Sequence, residues 1–483
     1  MSGTYKGCEG GGGSAGSVEA ERELLERYRA AGQGQVLCCL DQLDANRRTA
    51  FLDQLGAVDL DQLARFTAEM KAGRPVATLD LARLEPPRFI PLPATPGGVR
   101  KRNRAIRAGE ELLRAGQAAA LVVAGGQGTR LGHEGPKGTF PVGPVSGCSL
   151  FEWHLSKVLA TRRRYGARIP ILILTSRVNH EQTAAYLERH GWFGLPHEDV
   201  LLFQQGLLPA VDREGRLLLA APDSLAWSPD GHGGSLSALH REGILDQLEA
   251  RGILHLFYFQ VDNPLVRVLE PEFLGHHLLA GSQMSSKFVS KRDASEKVGV
   301  FARAGRRLGV VEYSDLPDEL ATARDEQGEL LYRAGNVAIH VLEVAFIREL
   351  TEGGLKLPIH CASKAVPYLD ENGRRVEPEG KNCVKFETFV FDALPRARRT
   401  VVVEASRAEE FSPVKNATGV DSPETTRADL LRLFRGWIEA AGFEVGAEDA
   451  VLEISPLFAQ DREEFQARVR KAGQICGERL YLA

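Results

Sequence analysis

The sequence predicts an α/β protein built on a central, mostly parallel sheet, flanked by a helical N-terminal region and a small C-terminal domain. Three observations carry this. From about residue 118, short apolar runs alternate with helical patterns: 118–123 precedes 150–159, and 169–175 precedes 180–190. A further apolar run, 254–261, leads into polar residues, which suits strands buried on both faces with helices as crossovers. At 483 residues the chain is too long for one ordinary core, and nothing in it repeats at a fixed period.

In order, residues 1–19 read as a glycine-rich, disordered leader with nothing to bury. Residues 20–100 read as a helical region and a linker. Val36, Leu40 and Leu43 make one helical stripe, and Phe51, Leu52 and Leu55 begin another. Pro86, Pro87, Pro91, Pro93 and Pro96 mark 84–98 as an extended segment wrapping onto the next domain. Residues 101–400 are assigned to the main domain. Residues 401–483 are assigned to a smaller one, from the run Val401-Val402-Val403 and helical patterns over 427–441 and 459–472.

Composition narrows the function. A net charge of -4 gives no global attraction for nucleic acid or an anionic membrane, so a bound phosphate must be met by local cations and backbone donors. The seven cysteines are odd in number and form no CxxC pair, no run is long enough to span a membrane, and the N-terminus has no apolar signal core. A reducing, cytoplasmic setting is expected.

The most informative stretch is Leu121-Val122-Val123-Ala124-Gly125-Gly126-Gln127-Gly128-Thr129-Arg130-Leu131-Gly132, followed by Pro136-Lys137. A buried strand runs into a glycine-rich turn whose amides can form an anion nest, with Arg130 and Lys137 adding charge. The strand's carboxyl end is also where open α/β sheets hold ligands. Lys137 follows a proline, which excludes a Walker loop. Gly126, Gly128 and Gly132 miss the dinucleotide spacing. A polyphosphate site is the reading that remains.

This segment resembles the LxxAGGxGTRLGxxxPK signature of the eukaryotic UDP-N-acetylhexosamine pyrophosphorylases. The resemblance continues in order through Phe203-Gln204-Gln205-Gly206, Pro229-Asp230-Gly231-His232-Gly233-Gly234, Val261-Asp262-Asn263, Gly299-Val300, Val311-Glu312-Tyr313-Ser314, Ala334-Gly335-Asn336, Phe389-Val390-Phe391-Asp392 and Phe411-Ser412-Pro413-Val414-Lys415-Asn416. It implies a Rossmann-like nucleotidyltransferase sheet of the GT-A-like kind. The implied reaction joins UTP to an N-acetylhexosamine 1-phosphate (GlcNAc-1-phosphate or GalNAc-1-phosphate), giving a UDP-sugar and pyrophosphate.

The resemblance also assigns roles. Val123, Ala124, Gly125, Gly126, Gln127, Gly128 and Thr129 would hold the nucleotide, with Gln205 on uracil and Gly231 offering backbone contact. Arg130, Lys137 and Lys415 would be the catalytic cations. Asp262 would carry Mg²⁺. His232, Gly299, Glu312, Asn336 and Lys415 would line the sugar pocket.

Two positions depart from the family pattern. His232 replaces an asparagine that reaches the sugar, and Thr388 replaces a lysine that reaches the nucleotide phosphates. These motivate an alternative, a UDP-sugar-binding regulatory paralogue with weakened turnover. A glucose-1-phosphate uridylyltransferase is a third reading. The helical N-terminus is left as a surface for a protein partner or a second copy.

Overall fold

The computed structural model describes residues 15–72, 79–445, 450–469 and 479–483. Contacts divide the chain into two units: Met1–Val76, Leu207–Asp230 and Ile359–Glu387 form one, and Ala77–Gly206, Gly231–Pro358 and Thr388–Ala483 form the other.

Among the described residues, the second unit is built on a nine-stranded sheet. Its strands are β1 (Ala118–Val123), β2 (Ile171–Thr175), β3 (Val200–Gln204), β4 (His255–Gln260), β5 (Met284–Ser290), β6 (Val300–Ala304), β7 (Arg307–Val311), β8 (Ala334–Glu343) and β9 (Thr400–Glu404). The main path runs β7-β6-β8-β4-β1-β2-β3; β5 also pairs β8, and β9 pairs β5. Strands β3, β2, β1 and β4 are mutually parallel, as are β5 and β9. Strand β8 runs against β4, β5 and β6, and β7 against β6.

Alternation along the strands explains the burial. Ala118, Ala120 and Val122 enter one core with Ile171, Ile173, Phe257 and Phe259. Ala119 and Leu121 enter the other with Leu172, Leu174, Leu256 and Tyr258. A period of two with both faces covered requires apolar residues at every position, hence the continuous runs in the sequence. Each fully buried large side chain contributes about 1.5–3 kcal/mol.

Helix Leu150–Tyr165 begins at Ser149, whose hydroxyl accepts from Glu152 N, and stops at Gly166 with φ 62°. The proline-rich stretch bridges onto the sheet at Glu85↔Arg303 and Ile90↔Val403 before a helix starts at Pro96, capped by Thr95.

The first unit packs helices Ala15–Ala30, Ala45–Gly56 and Leu60–Lys71 with short β-pieces from two distant stretches. Tyr28, Val36, Phe51 and Leu55 share its core with Val211, Leu217, Val384 and Phe386.

Four boundary expectations are corrected. Helix Ala15–Ala30 begins inside the 1–19 leader, whose residues 1–14 lie outside the described residues. Segments 207–230 and 359–387, assigned to the 101–400 domain, belong to the unit of the N-terminal helices, because their strands complete its core. The boundary at 400/401 separates β9 from the sheet it belongs to; beyond it, Leu430, Phe434, Ile438, Leu452 and Phe465 enter the same core as β1 and β4. The predicted helix over 459–472 is Arg462–Val469, and residues 470–472 lie outside the described residues.

Candidate active site

Strands β1, β2, β3 and β4 point the same way, so Ala124, Ser176, Gln205 and Val261-Asp262 emerge along one edge of the sheet. The glycine-rich turn after β1 folds back on itself. Gln127 bridges Pro136, Gly128 N donates to Gly135 O at 2.9 Å, and Lys137 N donates to Gly126 O at 3.0 Å. This ring needs a glycine at 128: a Cβ there would lie 2.8 Å from His133 Cδ2 and 2.9 Å from His133 O. The fold-back returns Lys137 to the mouth of β1, where its Nζ donates to Asp262 Oδ2 at 3.0 Å. Both groups are largely buried, with side chains 17% and 11% exposed. Thr129 and Arg130 stand exposed on the outer turn.

Asp262 itself lies on a cleft of about 890 Å³ open to solvent. The cleft exists because β8 divides its partners. From His340 onward β8 pairs β4, and β6 meets it at Gly335. Between them a bulge over Asn336–Ile339, with Ala338 at φ 54°, interrupts the ladder. Asn336 Oδ1 accepts from Ala338 N at 3.0 Å and holds the bulge; Asn336 N donates to Gly299 O at 2.8 Å. His232, Asp262, Gly299, Glu312, Asn336 and Lys415 all line this cleft. Five residues far apart in sequence that were expected on the sugar side therefore share one cleft with Asp262, the residue expected to carry Mg²⁺.

Lys415 enters from the loop after β9. Its Nζ lies 5.6 Å above the Phe411 ring and 3.8 Å from Asp421 Oδ2, and it remains about half exposed. Asn263 pins this loop: its Nδ2 donates to Glu410 O at 2.7 Å, and its Oδ1 accepts from Ser412 N at 3.1 Å. Val414 N donates to Asp262 O at 2.8 Å, tying the two cleft walls together.

Gln205 Nε2 donates to Gly231 O at 2.8 Å. Gly231 has φ 82°, and a Cβ there would meet Thr388 O at 2.3 Å. Thr388 is buried, and its carbonyl accepts from Gly233 N at 2.8 Å. Its backbone therefore shapes the 231–233 turn. His232 stacks on Phe389 with centroids 5.1 Å apart at 15°, and its Nδ1 accepts from Val390 N at 3.2 Å. An accepting Nδ1 leaves the imidazole proton on Nε2.

Sequence reasoning missed the residues that hold these pieces. Asn179, fully buried, donates to Ala124 O at 2.9 Å and Gly126 O at 3.2 Å, while its Oδ1 accepts from Ser176 N at 2.8 Å. Ahead of helix His180–Arg189 it reads in sequence as an ordinary cap. Behind Asp262, helix Leu150–Tyr165 sends Trp153 Nε1 to Pro264 O (2.9 Å), His154 Nε2 to Val261 O (2.9 Å) and Lys157 Nζ to Val266 O (2.7 Å). Burial pushes His154 down to about 3 and Lys157 down to about 7.

Asp262 and Glu312 are the acidic residues lining the cleft, and among the described residues no three His, Cys, Asp or Glu side chains form a metal-binding group. A divalent cation here would draw most of its ligands from phosphate and water. That is how Mg²⁺ is commonly held, through one or two carboxylates plus substrate phosphates.

A family model described as UTP–glucose-1-phosphate uridylyltransferase matches residues 100–468. UDP-N-acetylglucosamine pyrophosphorylase of Saccharomyces cerevisiae is 37% identical over 76% of this chain and 80% of its own. UDP-N-acetylhexosamine pyrophosphorylase-like protein 1 of Xenopus tropicalis is 35% identical over 92% of each. The solved structure of the Trypanosoma brucei uridine diphosphate N-acetylglucosamine pyrophosphorylase superposes with a TM-score of 0.82 at 25% identity, covering 96% of this chain and 98% of that one.

Proposed function

Because the chain belongs to the UTP–glucose-1-phosphate uridylyltransferase family, and within it to the UDP-N-acetylhexosamine pyrophosphorylases, we propose that it joins UTP to an N-acetylhexosamine 1-phosphate, releasing pyrophosphate. The observation that carries this reading is the bond between Lys137 and Asp262, which joins the glycine turn to the cleft. The sugar-phosphate oxygen attacks the α-phosphorus of UTP in line, one P–O bond forms as another breaks, and the electron pair leaves on pyrophosphate. Such chemistry needs alignment and charge stabilisation rather than a covalent nucleophile.

The turn 123–129 receives the nucleotide phosphates through backbone N–H groups, with Arg130 and Lys137 as cations, while Gln205 and Gly231 meet the base. Lys415 meets the sugar phosphate, and His232, Gly299, Glu312 and Asn336 receive the hexosamine. Asp262 would hold Mg²⁺, which when bound supplies charge neutralisation to the phosphates. Thr388 adds a buried backbone to this site and no cation. A cytoplasmic location suits a chain whose described cysteines, Cys38, Cys39, Cys148, Cys361 and Cys383, are all free thiols.

The test is pyrophosphate release from UTP and Mg²⁺ with GlcNAc-1-phosphate, GalNAc-1-phosphate or glucose 1-phosphate. Release dependent on an N-acetylhexosamine phosphate, and lost in Asp262→Ala, is expected. Release with glucose 1-phosphate alone would replace the substrate assignment. Binding of the UDP-sugar without release would make the chain a binding paralogue.

A further inference from the structure

The segment carrying Asp262 is a wall between two cavities. Asp262, Asn263 and Val266 face the cleft described above, whereas Pro264, Leu265 and Arg267 face a second cavity that opens to solvent and encloses about 110 Å³. Its apolar side comes from Trp153, Leu430, Leu433, Phe434 and Trp437. Trp153 and Phe434 lie 6.2 Å apart, and Phe434 and Trp437 5.9 Å, so the wall is a run of aromatic faces and edges.

The polar side of this cavity carries several charges, the exposed Arg462, Glu409 and Glu463 among them, and Lys157 is the buried one without an ion pair among the described residues. Arg267 is matched by Glu270 at 2.6 Å and Arg164 by Asp461 at 2.8 Å. Lys157 is not matched. Its side chain is nine-tenths buried, and it donates to the carbonyls of Pro264 and Val266. No carboxylate among the described residues lies within ion-pair distance of it. Glu410, whose charge favours the ammonium, is itself held by Lys287. An ammonium has three donors, and two are spent on carbonyls. A buried cation without a counter-ion is costly, and in this site the cost appears as a pKa lowered to about 7.

We infer that this second cavity binds a small organic anion with an aromatic or aliphatic body, its carboxylate taking the remaining Lys157 donor, and that occupancy acts on the reaction through the 262–267 segment. The body would cover Trp153, Phe434 and Trp437, while the anion would supply the missing counter-charge. Because Lys157 grips the Pro264 and Val266 carbonyls, an anion that redirects its ammonium alters how the Asp262 segment is held. The site differs from the cleft, which offers two carboxylates, two exposed lysines and amide groups but no run of tryptophans.

The probe is 2-naphthoate, titrated calorimetrically into the full chain, with 2-naphthamide as its neutral counterpart. One saturable site is expected, with the amide at least tenfold weaker. Lys157→Met should lose at least tenfold in naphthoate affinity. Leu433→Trp, at a half-buried wall position, should block the cavity while keeping the wild-type thermal midpoint, so the result does not depend on Lys157→Met folding. Absence of saturable binding, equal binding of acid and amide, or binding unchanged in Leu433→Trp would each overturn the site. Saturating naphthoate should also change the rate of pyrophosphate release at least twofold. That arm alone rests on the proposed transferase, and it is read only with active protein, whereas calorimetry stands without turnover. Binding with no change in rate would overturn the effector role.

Discussion

Lys137 Nζ donates to Asp262 Oδ2 across 3.0 Å, joining the turn after the first strand to the segment that leaves the fourth. One residue belongs to the glycine turn and the other to the cleft, so this pair fixes their spacing.

Removing either partner should cost stability as well as rate. Lys137→Met leaves a largely buried carboxylate without its cation, and a loss of about 3 kcal/mol is expected in urea unfolding. Asp262→Asn leaves the largely buried Lys137 ammonium without its anion, but should cost less, because the amide oxygen still accepts its hydrogen bond and Lys137 is the more exposed partner. The double variant should be more stable than the sum of the two losses implies, with a coupling of about 0.5–3 kcal/mol. Both single variants should slow pyrophosphate release by about a hundredfold or more. Additive losses would mean the pair is not coupled.

Gly231→Ala should be damaging for two reasons. The residue sits at φ 82°, and the added methyl would fall 2.3 Å from Thr388 O, a backbone atom that cannot swing aside. A loss of about 2 kcal/mol or more is expected from strain and clash together. Differential scanning calorimetry reads it, and weakened UTP binding should accompany it. A wild-type melting curve would refute the close approach.

Asn179→Ala tests whether the glycine turn is held from behind. The change removes donors to Ala124 O and Gly126 O in a fully buried position, and should cost about 1–3 kcal/mol. The specific readout is KM for UTP, which should rise about tenfold while kcat falls less. An equal loss in both would point to general damage instead.

Acid should destabilise the protein below about pH 6.5. His154, His277 and His340 are each pushed down to about 3, chiefly by burial, so between pH 6.5 and 3 the unfolded chain binds protons that the native one refuses. Stability therefore falls with falling pH across that window, by about 1.4 kcal/mol per pH unit for each histidine. Replacing one of them, as in His340→Phe, should flatten the slope of unfolding free energy against pH. A slope unchanged from the native protein would remove His340 from the account.

Much of the site was legible because its parts are local. The run 118–123 became β1 at the same residues, and the glycines after it became the turn that returns Lys137 to the sheet. His232, Gly299, Glu312, Asn336 and Lys415, named from ordered resemblance, line one cleft with Asp262. The holding residues were not legible. Asn179 and Asn263 look like caps in sequence, and Trp153, His154 and Lys157 look like any mixed helix face. Their role lies in which distant carbonyls they reach.

The sequence by itself determined the strand runs, the glycine-rich turn and the family, because each follows from the order and spacing of neighbouring residues. Tertiary structure alone decided that β8 runs against its neighbours and splits between β4 and β6, that 207–230 and 359–387 leave the main unit, and that 401–483 joins it. Pairing partners in a sheet are chosen by backbone hydrogen bonds and shared burial between segments hundreds of residues apart. Such choices leave no period and no motif in the chain, and so they become visible only when the strands are assembled.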